Sequence, residues 1–258
     1  MHKVCVEKVL DTIKYQENGL PAKGDPSVPW VLEKLDPSAI ASRTLVKSFG
    51  VISKGLVDNI QRHEAKRGRL FPNIYEKMLN NHDLSLRGQR VLEVGAGPGA
   101  VCLGLQEMGA KVVSLDMWDG RIFYDEEIPF LVASGTALPF TDKSFDLLSL
   151  TSVLHHLPVE YRETILKEAF RVANLVLIQE DCLASNPVTN AAMRLVDDGV
   201  SGEIGTHQAE SHMTKQGWLE YFKEMGLKVL DSEDYHPKWL GVGIQKTFFV
   251  VTKNENQN

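Results

Sequence analysis

Two carboxylates, a glycine-rich bend and a pair of adjacent histidines are the residues of this chain whose types and spacing could do chemistry. Glu93 stands two positions before Gly95 in the run Val91-Leu92-Glu93-Val94-Gly95-Ala96-Gly97-Pro98-Gly99, and Asp116 follows 21 positions beyond Gly95. Glycine has no Cβ and accepts positive φ cheaply, so such a bend lets backbone come close to a ligand. A strand, a glycine bend and a helix build a nucleotide pocket at the carboxyl end of the first strand of a doubly wound sheet. A carboxylate at the tip of the second strand, where Asp116 falls, can accept both hydroxyls of a ribose. Glu93 would crowd an anionic pyrophosphate but could pair with an ammonium group. The run also satisfies the dinucleotide pattern Gly95-x-Gly97-x-x-Ala100, so the glycines alone leave a nicotinamide dinucleotide open. A tight bend that holds no ligand is the plainer alternative.

The elements that must position these residues are readable from about residue 85 onward. Arg90–Val94 reads as a strand, and Pro98–Met108 as a helix with Val101, Leu105 and Met108 on one face, stopped by Gly109. Lys111–Asp116, Pro129–Ser134 and Phe145–Thr151 follow as strands, Val159–Ala173 as a helix, and Leu175–Gln179 as an apolar run suited to a strand buried on both faces. Thr214 can cap a helix to about Met225, with Gly226 behind it. Leu227–Leu230 and Thr247–Val251 then suggest an antiparallel pair at the sheet edge. Trp218, Phe222 and Met225 at i, i+4, i+7 are core spacing.

Two regions break this rhythm. Residues 1–80 carry Pro21, Pro26, Pro29 and Pro37 and then a helical pattern over Val46–His63; they read as a helical N-terminal cap near the ligand-binding edge, ahead of a domain spanning 81–258. Residues 182–212 are long for a connection and read as a lid-like insertion. There His207 and His212, with Glu203 and Glu210, either line the acceptor side or form a solvated loop; their spacing is not that of a metal site, and no metal is expected. Arg62, Lys66, Arg67 and Arg69 form a basic cluster, read as a solvated helix face or as a grip on an anion.

Composition bounds the function class. The 258 residues suit one large domain or one with an extension, and the net charge of −6 argues against general nucleic-acid binding. The balance is uneven, +4 over residues 1–80 and −10 over the remainder. Cys5, Cys102 and Cys182 are too few and scattered for a disulfide framework. Lys3, Glu7 and Lys8 interrupt any apolar opening, and no run approaches the roughly 20 apolar residues of a membrane span, so the expected home is the cytoplasm.

Three stretches together carry a resemblance: Val91 to Gly99; Ala137-Leu138-Pro139-Phe140 followed by Ser144-Phe145-Asp146; and Val153-Leu154-His155-His156-Leu157-Pro158. In order and spacing, across roughly residues 88–181, the chain resembles the class I S-adenosylmethionine-dependent methyltransferases. Within these it is similar to the small-molecule group that includes quinone-biosynthesis methyltransferases. The resemblance implies an α/β, Rossmann-like fold: a seven-stranded, mostly parallel sheet with helices on both faces, an antiparallel edge strand and a helical N-terminal extension. It implies S-adenosylmethionine as cofactor, with Gly95, Ala96 and Gly97 forming the floor under its methionine and ribose parts and Glu93 near its ammonium. Asp116 would hold the ribose, Met117 would pack on the adenine face, Ser134, Gly135, Thr136 and Ala137 would reach the adenine edge, and Thr151 would face the methionine portion. Where Ser134 stands the family commonly has an aspartate; a hydroxyl is the weaker partner for the adenine amino group.

Methyl transfer chiefly requires a nucleophile held in line, about 3 Å from the methyl. A base is needed only if that nucleophile must lose a proton, and His155 and His156 are the candidates. The alternative is that one of them packs against the sheet and caps a turn. The implied function is methyl transfer to a small-molecule acceptor by direct displacement. Its rivals are a non-catalytic binding or regulatory relative and an NAD-dependent oxidoreductase.

Overall fold

The structure is a computed structural model and describes residues 54–121, 123, 125–191, 193, 212–239 and 242–254. In chain order it contains α1 (Lys54–Asn80), β1 (Arg90–Val94), α2 (Ala100–Glu107), β2 (Lys111–Asp116), β3 (Phe130–Val132), β4 (Leu147–Thr151), a 3-10 turn (Leu154–His156), α3 (Val159–Val172), β5 (Leu175–Cys182), α4 (Lys215–Glu224), β6 (Leu227–Tyr235) and β7 (Gln245–Lys253). Lys238–Trp239 and Val242–Gly243 form a small separate ribbon. The seven main strands lie in the order β3-β2-β1-β4-β5-β7-β6. All run parallel except β7, which is antiparallel to both β5 and β6. The antiparallel pair expected at this edge is present, with the reversed strand as its inner member.

Side-chain alternation on the strands explains the layers. Leu92, Val94, Leu148, Leu150, Val176, Ile178, Phe249 and Val251 face a core closed by α3 and α4, where Ile165, Ala169, Trp218 and Phe222 meet them. The intervening residues Val91, Leu147, Leu175, Leu177, Phe248 and Val250 face the opposite core, closed by α1 and α2. With both faces covered, the strands are nearly continuous apolar runs. The interruptions are therefore informative: Glu93, Ser149 and Thr151 are buried polar residues on the α1 side.

The order of the strands reverses at β1, with β2 on one side and β4 on the other, which makes their carboxyl ends the crevice of the fold. Register aligns Val94 with Leu115 and with Leu150, so the bend after β1, Asp116 and Thr151 reach one level.

Within the described residues α1 starts at Lys54 and runs on to Asn80, well past the His63 limit that its sequence suggested; residues 46–53, like the rest of 1–53, lie outside them. Phe71, Ile74, Tyr75, Met78 and Leu79 form its buried stripe, and the rings of Phe71 and Tyr75 meet Phe248 edge-on at 4.9 and 5.4 Å. The helix tolerates Gly68 and Pro72 because they serve its contact with α2. Pro72 has no N–H for the carbonyl four residues back, that of Gly68. This carbonyl descends on Gly104 of α2, where an added Cβ would lie 1.7 Å from it. A Cβ on Gly68 would in turn meet the Ala100 carbonyl at 2.4 Å. The two helices cross at glycines, and this close approach fixes α1 over the bend after β1.

Candidate active site

Three groups of residues converge at the carboxyl ends of β1, β2, β4 and β5. The first is the glycine bend. Gly95, Gly97 and Gly99 have φ of 77°, 50° and 88°. Gly95 leaves no room for a side chain, since a Cβ would meet Val153 Cγ2 at 2.5 Å. The amides of Gly95 and Ala96 both donate to the Leu115 carbonyl, at 2.9 and 3.1 Å, and the Ala96 methyl is buried against the core. The Gly97 amide donates to Asp116 Oδ2 at 2.8 Å, and Met117 N donates to Oδ1 at 2.6 Å. One carboxylate thus ties the bend after β1 to the loop after β2. Burial pushes the Asp116 carboxyl up, while the amides of Gly97, Met117 and Trp118 pull it back toward the charged form. A carboxylate has about four acceptor sites, so these bonds leave it room toward the crevice.

The second group lies under the bend on the α1 side. Glu93 is 1% exposed and sits beside Ser149 in register. Burial pushes its carboxyl up to about 7, against the pull of the Ser149 and Thr151 hydroxyls and the Arg67 charge. Its Oε2 is buried with no hydrogen-bond partner. Tyr75 of α1 is wholly buried beside it, its phenol pushed up by desolvation and by the Glu93 charge. Burying an acid this thoroughly with an unmatched oxygen is costly unless something answers it.

The third group is the turn after β4. Ser152 takes φ 57°, which is uncommon outside glycine, and is held there by its amide on the Gln179 carbonyl (2.8 Å) and its hydroxyl on Gln179 Oε1 (2.7 Å). Glu180 clamps the next residues, accepting from the amides of Leu154 and His155 at 2.9 and 3.0 Å and bonding His155 Nδ1 at 2.5 Å. His155 is 2% exposed, with its ring against those of His156 (4.1 Å) and His212 (4.8 Å). That geometry suits the turn-capping alternative for His155, whereas His156 is only partly buried. Behind the turn, Asp181 accepts from Gln179 Nε2 at 3.0 Å and pairs with Lys246, whose charge holds the Asp181 carboxyl well below the usual range despite its burial.

The segment after β3 is a tight turn. Ser134 Oγ lies 2.7 Å from Thr136 Oγ1 and accepts from the Thr136 amide at 3.2 Å, and the Ala137 amide bonds the Ser134 carbonyl. Gly135 packs on Val94, where a Cβ would come within 3.0 Å. The Ser134 hydroxyl is thus engaged inside its own turn.

The structure brings Glu93, the glycines, Asp116, Thr151 and both histidines, all candidates from the sequence, to the carboxyl edge of the sheet. Sequence reasoning did not find Tyr75, Ser149, Ser152 or Glu180, and it read Arg67 only as part of a basic cluster. In the structure Arg62, Lys66 and Arg69 are exposed, and Arg67 alone turns inward. The missing signal was spacing on α1: Arg67 and Tyr75 share a face with Phe71 at i, i+4, i+8. His207, Glu203 and Glu210 lie outside the described residues, as does Cys5; Cys102 and Cys182 are buried free thiols. Among the described residues no cluster of three His, Cys, Asp or Glu could hold a metal, and no helix is long and apolar enough to cross a membrane.

Comparison with known proteins points the same way. Residues 92–174 match the family described as Methyltransferase domain. A demethylmenaquinone methyltransferase of Clavibacter sepedonicus is 36% identical over 92 residues, which are 33% of this chain and 37% of that protein. An uncharacterized protein of Haemophilus influenzae is 25% identical over 157 residues, 56% of this chain and 60% of its own length. These matches span between about a third and three fifths of the relatives. Among solved structures, the 1,6-didemethyltoxoflavin-N1-methyltransferase of Burkholderia thailandensis, crystallised with 1,6-didemethyltoxoflavin and S-adenosylhomocysteine, superposes with a TM-score of 0.55. It is 14% identical, over 94% of this chain and 95% of that one, a likeness of fold.

Proposed function

From the match of residues 92–174 to a methyltransferase domain we propose that the chain is a class I methyltransferase that binds S-adenosylmethionine and transfers its methyl group to a small-molecule acceptor by in-line displacement. The observation that carries the reading is the unmatched, buried Oε2 of Glu93 beside the glycine bend. An ammonium group answers it; the pyrophosphate of a nicotinamide dinucleotide, brought to the same bend, would be repelled by it. The family match and the neighbour crystallised with S-adenosylhomocysteine support the same ligand.

When bound, the cofactor supplies an electrophilic methyl on a sulfonium that leaves as a neutral thioether. The chain's residues then have positional tasks. Gly95 and Gly97 keep backbone, not side chain, beneath the ligand, and Asp116 accepts from the ribose hydroxyls while still tied to the bend. Met117 packs on the adenine, the 134–137 turn meets its edge, and Thr151 faces the methionine portion. An acceptor that must lose a proton finds an imidazole at the turn after β4, and His156 is the less buried of the pair. The acidic balance of residues 81–258, which disfavours a nucleic-acid acceptor, supports the small-molecule class, and so does the neighbour named 1,6-didemethyltoxoflavin-N1-methyltransferase.

Calorimetric titration with S-adenosylhomocysteine tests this reading. The wild-type protein is expected to bind it, and Asp116→Ala to lose about tenfold or more in affinity as charge-assisted ribose bonds vanish. Undiminished affinity in that variant would remove the ribose assignment, and a response to NADH in place of S-adenosylhomocysteine would revive the dinucleotide reading. Binding without methyl transfer to any component of a metabolite extract would identify a non-catalytic relative.

A further inference from the structure

Arg67 of α1 holds an unused bonding edge in the same corner as Glu93. Its Nη1 donates to Glu64 Oε1 at 3.0 Å and its Nη2 to Ser152 Oγ at 3.2 Å. Its Nε is buried and has no hydrogen-bond partner. The guanidinium lies near enough for its charge to favour the charged form of Glu93, whose own Oε2 is also unmatched. A cation and an anion in one corner, each with a buried polar atom that has no partner, call for a ligand carrying both charges. An α-amino acid is such a ligand: its carboxylate takes the planar edge of a guanidinium in paired hydrogen bonds, and its ammonium takes a carboxylate oxygen.

We propose that Arg67 binds the carboxylate of the cofactor's amino-acid tail while Glu93 holds its ammonium, so that α1, which precedes the matched segment 92–174, completes the cofactor site. This rests on the S-adenosylmethionine reading above and extends it to a residue outside the family match. The placement has a structural cause. Arg67 immediately precedes Gly68, whose carbonyl is seated on Gly104, so the glycine crossing of α1 on α2 sets the position of the guanidinium. Its anchor on Ser152 adjoins Thr151, at the end of β4.

Two nucleosides separate this from any general effect on the fold. S-adenosylhomocysteine carries the amino-acid tail; 5′-methylthioadenosine shares the adenosine and the thioether but lacks it. Calorimetry on the full chain should show Arg67→Ala losing about 30-fold in affinity for the former and less than twofold for the latter. Arg67→Lys keeps the charge without the fork and should fall between. Retained binding of 5′-methylthioadenosine is also the check that each variant is folded. Equal loss for both nucleosides, or no loss for S-adenosylhomocysteine, overturns the role of Arg67 and leaves the adenosine site standing. Wild-type protein that binds neither nucleoside brings down the cofactor reading itself.

Discussion

Glu93 and Asp146 are carboxylates on opposite edges of the same sheet, and they are settled in opposite ways. Asp146, just before β4, accepts from the Arg90 amide at 2.8 Å, from its Nε at 3.1 Å and from its Nη2 at 2.7 Å. Those bonds hold its carboxyl below the usual range. Glu93, at the far end of β1, keeps one oxygen unmatched and is pushed up to about 7. The finished pattern recurs at the outer turn of the 134–140 segment. There Arg171 of α3 donates to the Leu138 and Phe140 carbonyls at 2.9 and 2.7 Å and pairs with Glu168. The charges described at the amino edge and the flanking turns are paired, while at the carboxyl edge Glu93 keeps an oxygen unanswered. A ligand belongs where the chain has not answered its own buried charges.

The sharpest way to break that contrast is Glu93→Gln. The folded-state carboxyl of Glu93 is raised from 4.5 to about 7, so the native state binds the proton more tightly than the unfolded chain does. The stability this group contributes is therefore present below about pH 4.5 and lost as pH rises through about 7. Above that, burying its charge costs on the order of 3 kcal/mol. Glutamine carries no charge to bury. Urea denaturation of ligand-free protein should find Glu93→Gln more stable than wild type by up to about 3 kcal/mol at pH 8, and indistinguishable near pH 4. The same variant should bind S-adenosylhomocysteine less well, trading the ammonium partner for stability. A variant that is equally destabilised at both pH values would make Glu93 an ordinary core residue, and the contrast would collapse.

A somewhat smaller effect is expected from the helix crossing that brings α1 over this edge. Gly104→Ala sets a methyl against the Gly68 carbonyl, 1.7 Å from the Cβ position, with Pro72 Cγ at 2.8 Å. Neither neighbour is the end of a flexible side chain, so the helices must separate, at about 2 kcal/mol. Displacement of Arg67 and Tyr75 should weaken S-adenosylhomocysteine binding at the same time. Thermal unfolding with and without ligand measures both effects. A variant with lowered stability but wild-type affinity would show that α1 does not set the site.

This crossing also marks where the sequence ceased to be legible. From β1 to α4 the legible elements are local and strongly patterned: alternation on β1, the bend at Gly95, the stripe Ile165, Ala169, Val172 on α3, the Thr214 cap that accepts the Gly217 amide. The positions of Glu93, Asp116 and Thr151 at strand ends follow from that pattern, whereas the strand order comes from the structure. α1 is different because Gly68 and Pro72 disfavour helix when read alone, and their justification is a surface 36 residues away on α2. Glu180 was hidden for a related reason: within the apolar run of β5 nothing local indicates that one acid will turn back to hold Leu154 and His155. Long-range pairings of this kind leave no periodicity behind.

The smallest expected effect is at Asp146, and its pH dependence runs the other way. Its folded-state carboxyl is lowered, so its contribution is present above the unfolded value of about 3.9 and is lost as pH falls through the folded one. The side chain is 36% exposed and its partner 28%, so solvent screens the pair, and Asp146→Asn should cost no more than about 1 kcal/mol at pH 7. That difference should shrink in strong acid, where wild type is protonated too, and in high salt, which screens the pair further. Cofactor affinity should not change, because Asp146 lies at the edge of the sheet away from the bend. Denaturation curves at pH 7 and pH 2.5, with one titration of S-adenosylhomocysteine, measure all three. Should Asp146→Asn prove stabilising at pH 7, as Glu93→Gln is expected to be at pH 8, the two edges would not differ in kind, and an unmatched charge at the carboxyl edge would cease to be evidence for a ligand.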